Sequence, residues 1–160
     1  MKSIFSILML LGVVAYGANE GAPKVVSKAF STKYKGAENV YWVVEQGNHQ
    51  VSFEHENFTK EATFKKDGTW VMTVTTLDTE DLMTCINDVL NDDYFGPVVL
   101  DAEFVEKPDS EKYYITIEDA EEFVEDEEGD EEGVEEEISY IRLVFASDCE
   151  FLGEEQLADN

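Results

Sequence analysis

Phe64-Lys65-Lys66-Asp67-Gly68-Thr69-Trp70-Val71 is the strongest hairpin signal in the chain. Asp-Gly tolerates the left-handed backbone that a tight turn between two strands requires. The hairpin closes a unit that runs from Pro23 to Thr76. Working back from it, Ala62 and Phe64 alternate with Glu61, Thr63 and Lys65. Val51 and Phe53 alternate with Gln50, Ser52 and Glu54, and Val40, Trp42 and Val44 with Tyr41, Val43 and Glu45. Forward of the turn, Trp70, Met72 and Val74 alternate with Val71, Thr73 and Thr75. Gln46-Gly47-Asn48 and Glu56-Asn57 supply the other turns. Period-two alternation with short turns predicts an antiparallel meander with one buried face. Before the strands, Val26, Ala29, Phe30 and Tyr34 form one apolar stripe at helical spacing. Pro23 suits its first turn and Gly36 its stop.

A degraded copy of this unit fills the rest of the chain. Ala29-Phe30 and Tyr34-x-Gly36 return, at one shared offset, as Val89-Leu90 and Tyr94-x-Gly96. Val51-Ser52-Phe53-Glu54 returns at a slightly larger offset as Ile115-Thr116-Ile117-Glu118. The hairpin returns, at a larger offset still, as Phe145-Ala146-Ser147-Asp148-Cys149-Glu150-Phe151-Leu152. Two diverged copies predict a pseudo-repeated fold, with repeat one at about 23–76 and repeat two at about 78–153. In the second copy, Asp78 is the expected cap and Leu77 and Leu82 the expected staple. Leu82, Ile86, Val89 and Leu90 are the expected stripe. The inward strand set is Leu100, Ala102, Phe104, Ile115, Ile117, Ile141, Leu143, Phe145 and Phe151. Two aromatic-rich copies also predict that Trp42, Phe53, Phe64 and Trp70 are buried against Phe30, Tyr34 and Ile86.

The jump in offset places an insertion at about 118–137, between the second and third strands of the second copy. Asp and Glu fill most of it, and it holds no Lys or Arg. Charges this dense repel one another and resist folding, which predicts a solvated loop outside the repeated core. The run contains glycines but not the spacing of a calcium loop.

The 160 residues carry a formal net charge of -26, with 43% hydrophobic and 12% aromatic content. That describes a folded globule rather than a disordered chain. The charge argues against nucleic acid and anionic membrane, both of which need a cationic face. At the start, Lys2 precedes the apolar run Ile4–Val14, and Ala15 and Gly17 put small residues at a cleavage position. This predicts a signal peptide over 1–17, leaving one domain over 18–160. The run is too short for a stable membrane span.

Chemistry-bearing residues are sparse. His49 and His55 sit at opposite ends of one strand, roughly 20 Å apart at about 3.3 Å per residue, so they cannot share a metal. Export permits a disulfide between Cys85 and Cys149. However, a mid-helix position and a sheet-end turn are often too far apart to bridge, and the expectation is against it. No nucleophile constellation or glycine-rich phosphate loop is present, so no enzyme, metal or cofactor is expected. The candidate binding residues lie on the strand phase opposite the core: Tyr41, Val43, Ser52, Glu54, Thr63, Thr73, Thr75, Tyr114, Thr116, Tyr140 and Arg142. Tyrosine and arginine favour interface centres, although threonine and tyrosine also suit any exposed strand.

The ordered residues Pro23-x2-Val26-x2-Ala29-Phe30-x3-Tyr34-x-Gly36-Ala37-x2-Val40-x-Trp42 carry a resemblance. Val51-x-Phe53 and Ala62-x-Phe64-x2-Asp67-Gly68-x-Trp70 continue it. The chain resembles the secreted PepSY-like proteins, also called beta-lactamase-inhibitor-like, of Gram-negative bacteria. The resemblance spans nearly all of 18–160. It implies an α+β fold of two tandem helix-plus-sheet units, forming one curved antiparallel sheet with helices on one face. It also implies a periplasmic or secreted location, and it transfers no catalytic residues. The acidic insertion departs from the usual pattern. Together these readings predict an exported, non-enzymatic binding module for an extracytoplasmic protein or peptide, with protein or peptidase inhibition as one form. The alternative is a structural or stress-linked envelope protein whose acidic loop attracts cations.

Overall fold

The computed structural model describes residues 21–94, 97–120 and 138–157. The leader expected at 1–17 and residues 121–137 of the acidic insertion lie outside the described residues. Helix α1 spans Lys24–Lys33 and is followed by β1 (Glu38–Glu45), β2 (Asn48–His55), β3 (Phe58–Phe64) and β4 (Trp70–Thr76). A 3-10 turn at Thr79–Asp81 leads to α2 (Thr84–Asp93), β5 (Val98–Lys107), β6 (Ser110–Ala120), β7 (Ile138–Ala146) and β8 (Phe151–Leu157). All eight strands form one antiparallel sheet in chain order, with β1 and β8 at its edges.

The turns follow from their residues. Gln46 and Gly47 both have positive φ, as do Glu56 and Asn57. That is the primed two-residue turn that matches strand twist. At the third hairpin, the Asp67 carboxylate accepts the Thr69 N–H at 2.9 Å, and Gly68 takes φ +87°.

Each helix buries an apolar stripe on its own half of the sheet. Val26, Phe30 and Tyr34 pack with Val51, Phe53, Ala62 and Phe64. The Phe30 ring meets the edges of Phe53 and Trp42, with centroids 4.9 and 5.3 Å apart. Leu82, Ile86 and Leu90 pack with Ala102, Ile115, Ile117, Ile141, Leu143 and Phe145. Cross-strand partners share a face, so the register places both helices on one side. Ala62 pairs with Thr73, Thr75 with Phe104, and Phe104 with Tyr113, which pairs with Phe145. Ile86 therefore belongs to the second cluster rather than beside Trp42 and Trp70, which are half-buried against the first.

Several inward expectations fail for local reasons. Phe64 pairs with Trp70 and Thr63 with Met72, so Val71 is an extra residue. This bulge reverses the strand phase. Beyond it, Thr73 and Thr75 turn under the helices at 0% and 3% exposure, while Met72 and Val74 go to the other face. A second bulge at Leu100 leaves that side chain exposed. Val40 and Val44 have the inward phase, but on the edge strand they remain exposed, as does Phe151 on the other edge. Helix α2 starts at Thr84 rather than at Asp78. Asp78 instead opens the 3-10 turn, where its N–H donates to the Asp81 carboxylate at 3.3 Å.

Candidate functional site

The face opposite the helices has no covering element among the described residues. Tyr41, Ser52, Glu61, Val74, Val105 and Lys112 are successive cross-strand partners from β1 to β6 and form one rung of it. Val43, Gln50, Thr63 and Met72 form the next rung. In the second half, Asp101, Thr116, Arg142 and Glu155 form a rung. Glu103, Tyr114 and Val144 form another, and Glu118 pairs with Tyr140.

Nine of the eleven candidate residues therefore lie on this face. Thr73 and Thr75 do not. The bulge at Val71 carries both hydroxyls inward, where Thr73 Oγ1 accepts the Trp70 indole N–H at 2.9 Å and hydrogen-bonds the Tyr34 hydroxyl. A buried tyrosine or tryptophan needs such a partner for its polar tip. That need is the signal in the sequence that could have placed Thr73 correctly. Burial in this network pushes the Tyr34 phenol up to about 12.

The nine fall into two groups. Tyr41, Val43, Ser52, Glu54 and Thr63 lie on β1–β3, and Tyr114, Thr116, Tyr140 and Arg142 on β6–β7. From β1 to β7 is about 29 Å at ~4.8 Å per strand. The space between is lined by Met72, Val74 and Val105, which the alternation rule alone assigned to the core or passed over. Val105 is only 8% exposed although no helix covers it.

Two carboxylates flank this apolar strip. Burial raises the Glu61 carboxyl above its ordinary value, and Glu45 adds to the shift. Burial likewise raises Glu103, reinforced by Asp101, opposed by the Arg142 guanidinium, and reinforced weakly by Glu61. The surface thus offers tyrosine rings, an apolar strip and two carboxylates, Glu61 exposed to solvent and Glu103 beside the Arg142 guanidinium.

The histidines are apart as expected. His49 is buried, while His55 sits near the tip of the second hairpin, its Nε2 3.2 Å from the Lys35 carbonyl. Among the described residues no group of three or more His, Cys, Asp or Glu is placed to hold a metal ion. Two open depressions, of about 340 and 420 Å³, lie at Gly36–Thr59 and Leu77–Ala102. They touch the candidate residues only at Glu54. The expectation against a Cys85–Cys149 bridge is overturned. The Cα atoms are 6.2 Å apart and the thiols are joined. Cys149 takes φ +74°, which turns its side chain from the turn toward α2.

No protein-family model matches the chain, and no curated protein matches it. Solved structures do. A BLIP-like protein from Bacteroides fragilis is 19% identical, with a TM-score of 0.68 over 88% of this chain and 89% of that one. A DUF2874 family protein from Bacteroides ovatus is 24% identical, with a TM-score of 0.63 over 86% and 89%. A Bacteroides eggerthii protein, provisionally described as periplasmic, is 18% identical, with a TM-score of 0.61 over 85% and 89%. At these identities the likeness shows a shared BLIP-like fold. No helix among the described residues is long and apolar enough to cross a membrane.

Proposed function

We propose that this chain is an exported, non-catalytic binding module, and that the helix-free face of its sheet docks an extracytoplasmic protein or peptide. One observation carries the reading. Tyr41, Tyr114 and Tyr140 stand on a face that no described element covers, with the apolar strip Met72–Val74–Val105 between them. Tyrosines around an apolar centre are the composition of an interface core. The BLIP-like and periplasmic descriptions of similar folds support both the binding role and the location. A PepSY-like relationship belongs to the same proposal, as does the origin of the two halves in one repeated helix-plus-sheet unit. The second idea is supported by matched details. The Tyr34 hydroxyl meets Thr73, and the Tyr94 hydroxyl donates to Glu154 at 2.7 Å. Glu154 follows Thr73 by the same offset that carries the first hairpin onto its copy. The backbone hydrogen bonds closing the Lys65–Thr69 turn recur at Ala146–Glu150.

The test is a paired substitution, Tyr114→Ala with Tyr140→Ala, assayed against a stoichiometric partner isolated with the parent protein. Affinity should fall at least tenfold, about 1.4 kcal/mol, with the circular dichroism spectrum unchanged. Equal affinity would remove the face from the binding role.

A further inference from the structure

The two edges of the sheet are built differently. β8 begins with exposed Phe151 and Leu152 but carries Gly153, Glu154, Glu155 and Gln156 through its middle, and acidic and polar side chains blunt an edge against pairing. β1, Glu-Asn-Val-Tyr-Trp-Val-Val-Glu, has no lysine, no proline and no charge between its ends. It also exposes apolar side chains on both faces of the sheet. Tyr41 and Val43 are 52% and 39% exposed on the helix-free face, and Val40 and Val44 are 38% and 66% exposed on the other. From Tyr41 to Glu45 its pairing with β2 is continuous. Alternate residues of this stretch therefore point N–H and C=O groups away from the sheet. The bulge between Glu38 and Tyr41, with Asn39 at positive φ, lies at the start of the strand, and from Tyr41 to Glu45 the strand is regular and apolar on both sides, with backbone groups free to extend the ladder.

We infer that β1 receives an added strand from another polypeptide: an extended segment with a β-branched or aromatic middle and a basic residue at each end. Strand addition draws its affinity from main-chain hydrogen bonds and its selectivity from alternate side chains. The charge requirement comes from Glu38 and Glu45, which close the strand at both ends. In an antiparallel pairing of β1 with a second copy of itself centred on Trp42, Tyr41 would face Val43 and, across the bulge that follows Glu38, Glu38 would face Glu45 twice. Like charges directly opposite are destabilising. The net charge of -26 on each copy adds to that repulsion. The same two carboxylates attract lysine or arginine at the ends of a foreign strand. This edge meets the helix-free face at Tyr41 and Val43 but adds Val40 and Val44 on the helix side and lies apart from Tyr114 and Tyr140 on β6 and β7.

The experiment titrates the purified protein with the synthetic peptide acetyl-Lys-Thr-Val-Tyr-Val-Thr-Lys-amide. A control peptide carries Glu at both ends. Amide hydrogen exchange and binding isotherms are read at low and moderate salt. The Lys-ended peptide should bind and slow exchange of the β1 amides. Binding should weaken with salt, and by roughly tenfold or more for the Glu-ended peptide and for Val44→Lys. Val44 is exposed, so V44K should leave the circular dichroism spectrum unchanged. Tyr114→Ala with Tyr140→Ala should bind the peptide as the parent does, which separates this site from the proposed face. The inference is overturned by no binding, equal binding of both peptides, or unimpaired binding by V44K. Protection on β8 or on β6–β7 instead of β1 also overturns it. So does a β1-paired dimer in sedimentation without peptide, which would give the edge to a second copy.

Discussion

Cys85 and Cys149 are joined where, in the first half, Val25 and Gly68 touch. Cys85 is the second residue of α2, as Val25 is of α1. Cys149 stands in the turn before β8 at the place that Gly68 holds in the turn before β4. A β-carbon built on Gly68 would meet the Val25 carbonyl oxygen at 3.1 Å. The first half closes its helix onto the turn by contact. The second half has a side chain in that place and closes by a covalent bond.

The bond spans 64 residues of sequence, and closing a loop of that length stabilises by about 2–4 kcal/mol. Reduction should lower the stability of the second half by that order. The double variant Cys85→Val, Cys149→Gly copies the first half's residues and should recover part of the loss. Denaturant unfolding of the oxidised, reduced and double-variant proteins makes the comparison. Equal midpoints for oxidised and reduced protein would show that the bridge adds nothing.

Thr73 accepts from Trp70 and meets Tyr34 in the space under α1. Thr73→Val keeps the shape but strands both partners' polar atoms, and should cost about 1–3 kcal/mol. Thr73→Ser keeps the hydroxyl and should cost less. If Thr73→Val unfolds at the parent midpoint, the network is not holding α1 to the sheet. Phe64→Ala, with 1% exposure at the centre of the same cluster, should cost about 3–5 kcal/mol. Trp70→Ala, half-buried, should cost less than Phe64→Ala in the same measurement.

The Tyr34 phenol is held up at about 12 against an ordinary 10.0, chiefly because burial disfavours the phenolate. A raised folded value favours the neutral form in the fold. That contribution is complete below pH 10, and it is lost as pH rises through the window to about 12. Stability should therefore fall across this window in the parent, and more gently in Tyr34→Phe. At neutral pH Tyr34→Phe should be less stable by about 0.5–1.5 kcal/mol, for the lost hydrogen bond. Parallel pH profiles would contradict the assignment.

β6 and β7 pair through Asp119–Ser139 and Ala120–Ile138. The ends of the acidic insertion are thus already in hairpin register. Replacing residues 121–137 with Asn-Gly should preserve folding and keep or raise the thermal midpoint, since self-repulsion is relieved. Failure to fold would show that the segment supports the sheet.

Alternation and turn chemistry made most of the fold legible. The Asp67-Gly68 hairpin, the Val26–Phe30–Tyr34 stripe and the inward pairs Val51–Phe53 and Ile115–Ile117 are where the pattern puts them. What the pattern missed depends on single inserted residues. Val71 in the β4 bulge flips Thr73 and Thr75, and hydropathy favoured Met72 and Val74 for the core in their place. Exposure of Val40 and Val44 is a property of edge position, which alternation does not contain. The Cys85–Cys149 bond depends on a positive φ at Cys149, which sequence spacing does not show. Of the candidate face, the residues on β1–β3 and β6–β7 were readable. Its apolar strip was not, because it lies beyond the bulge.

The most direct measurement of the docking face places a photo-activated cross-linking amino acid at Thr116, on the helix-free face, and separately at Asp88, exposed on α2. Both proteins are expressed in their own cells and irradiated there. The account predicts an adduct of one defined mass from the Thr116 position, absent when Tyr114→Ala and Tyr140→Ala are added, and none from Asp88. An adduct from Asp88 alone, or equal labelling from both positions, would contradict it.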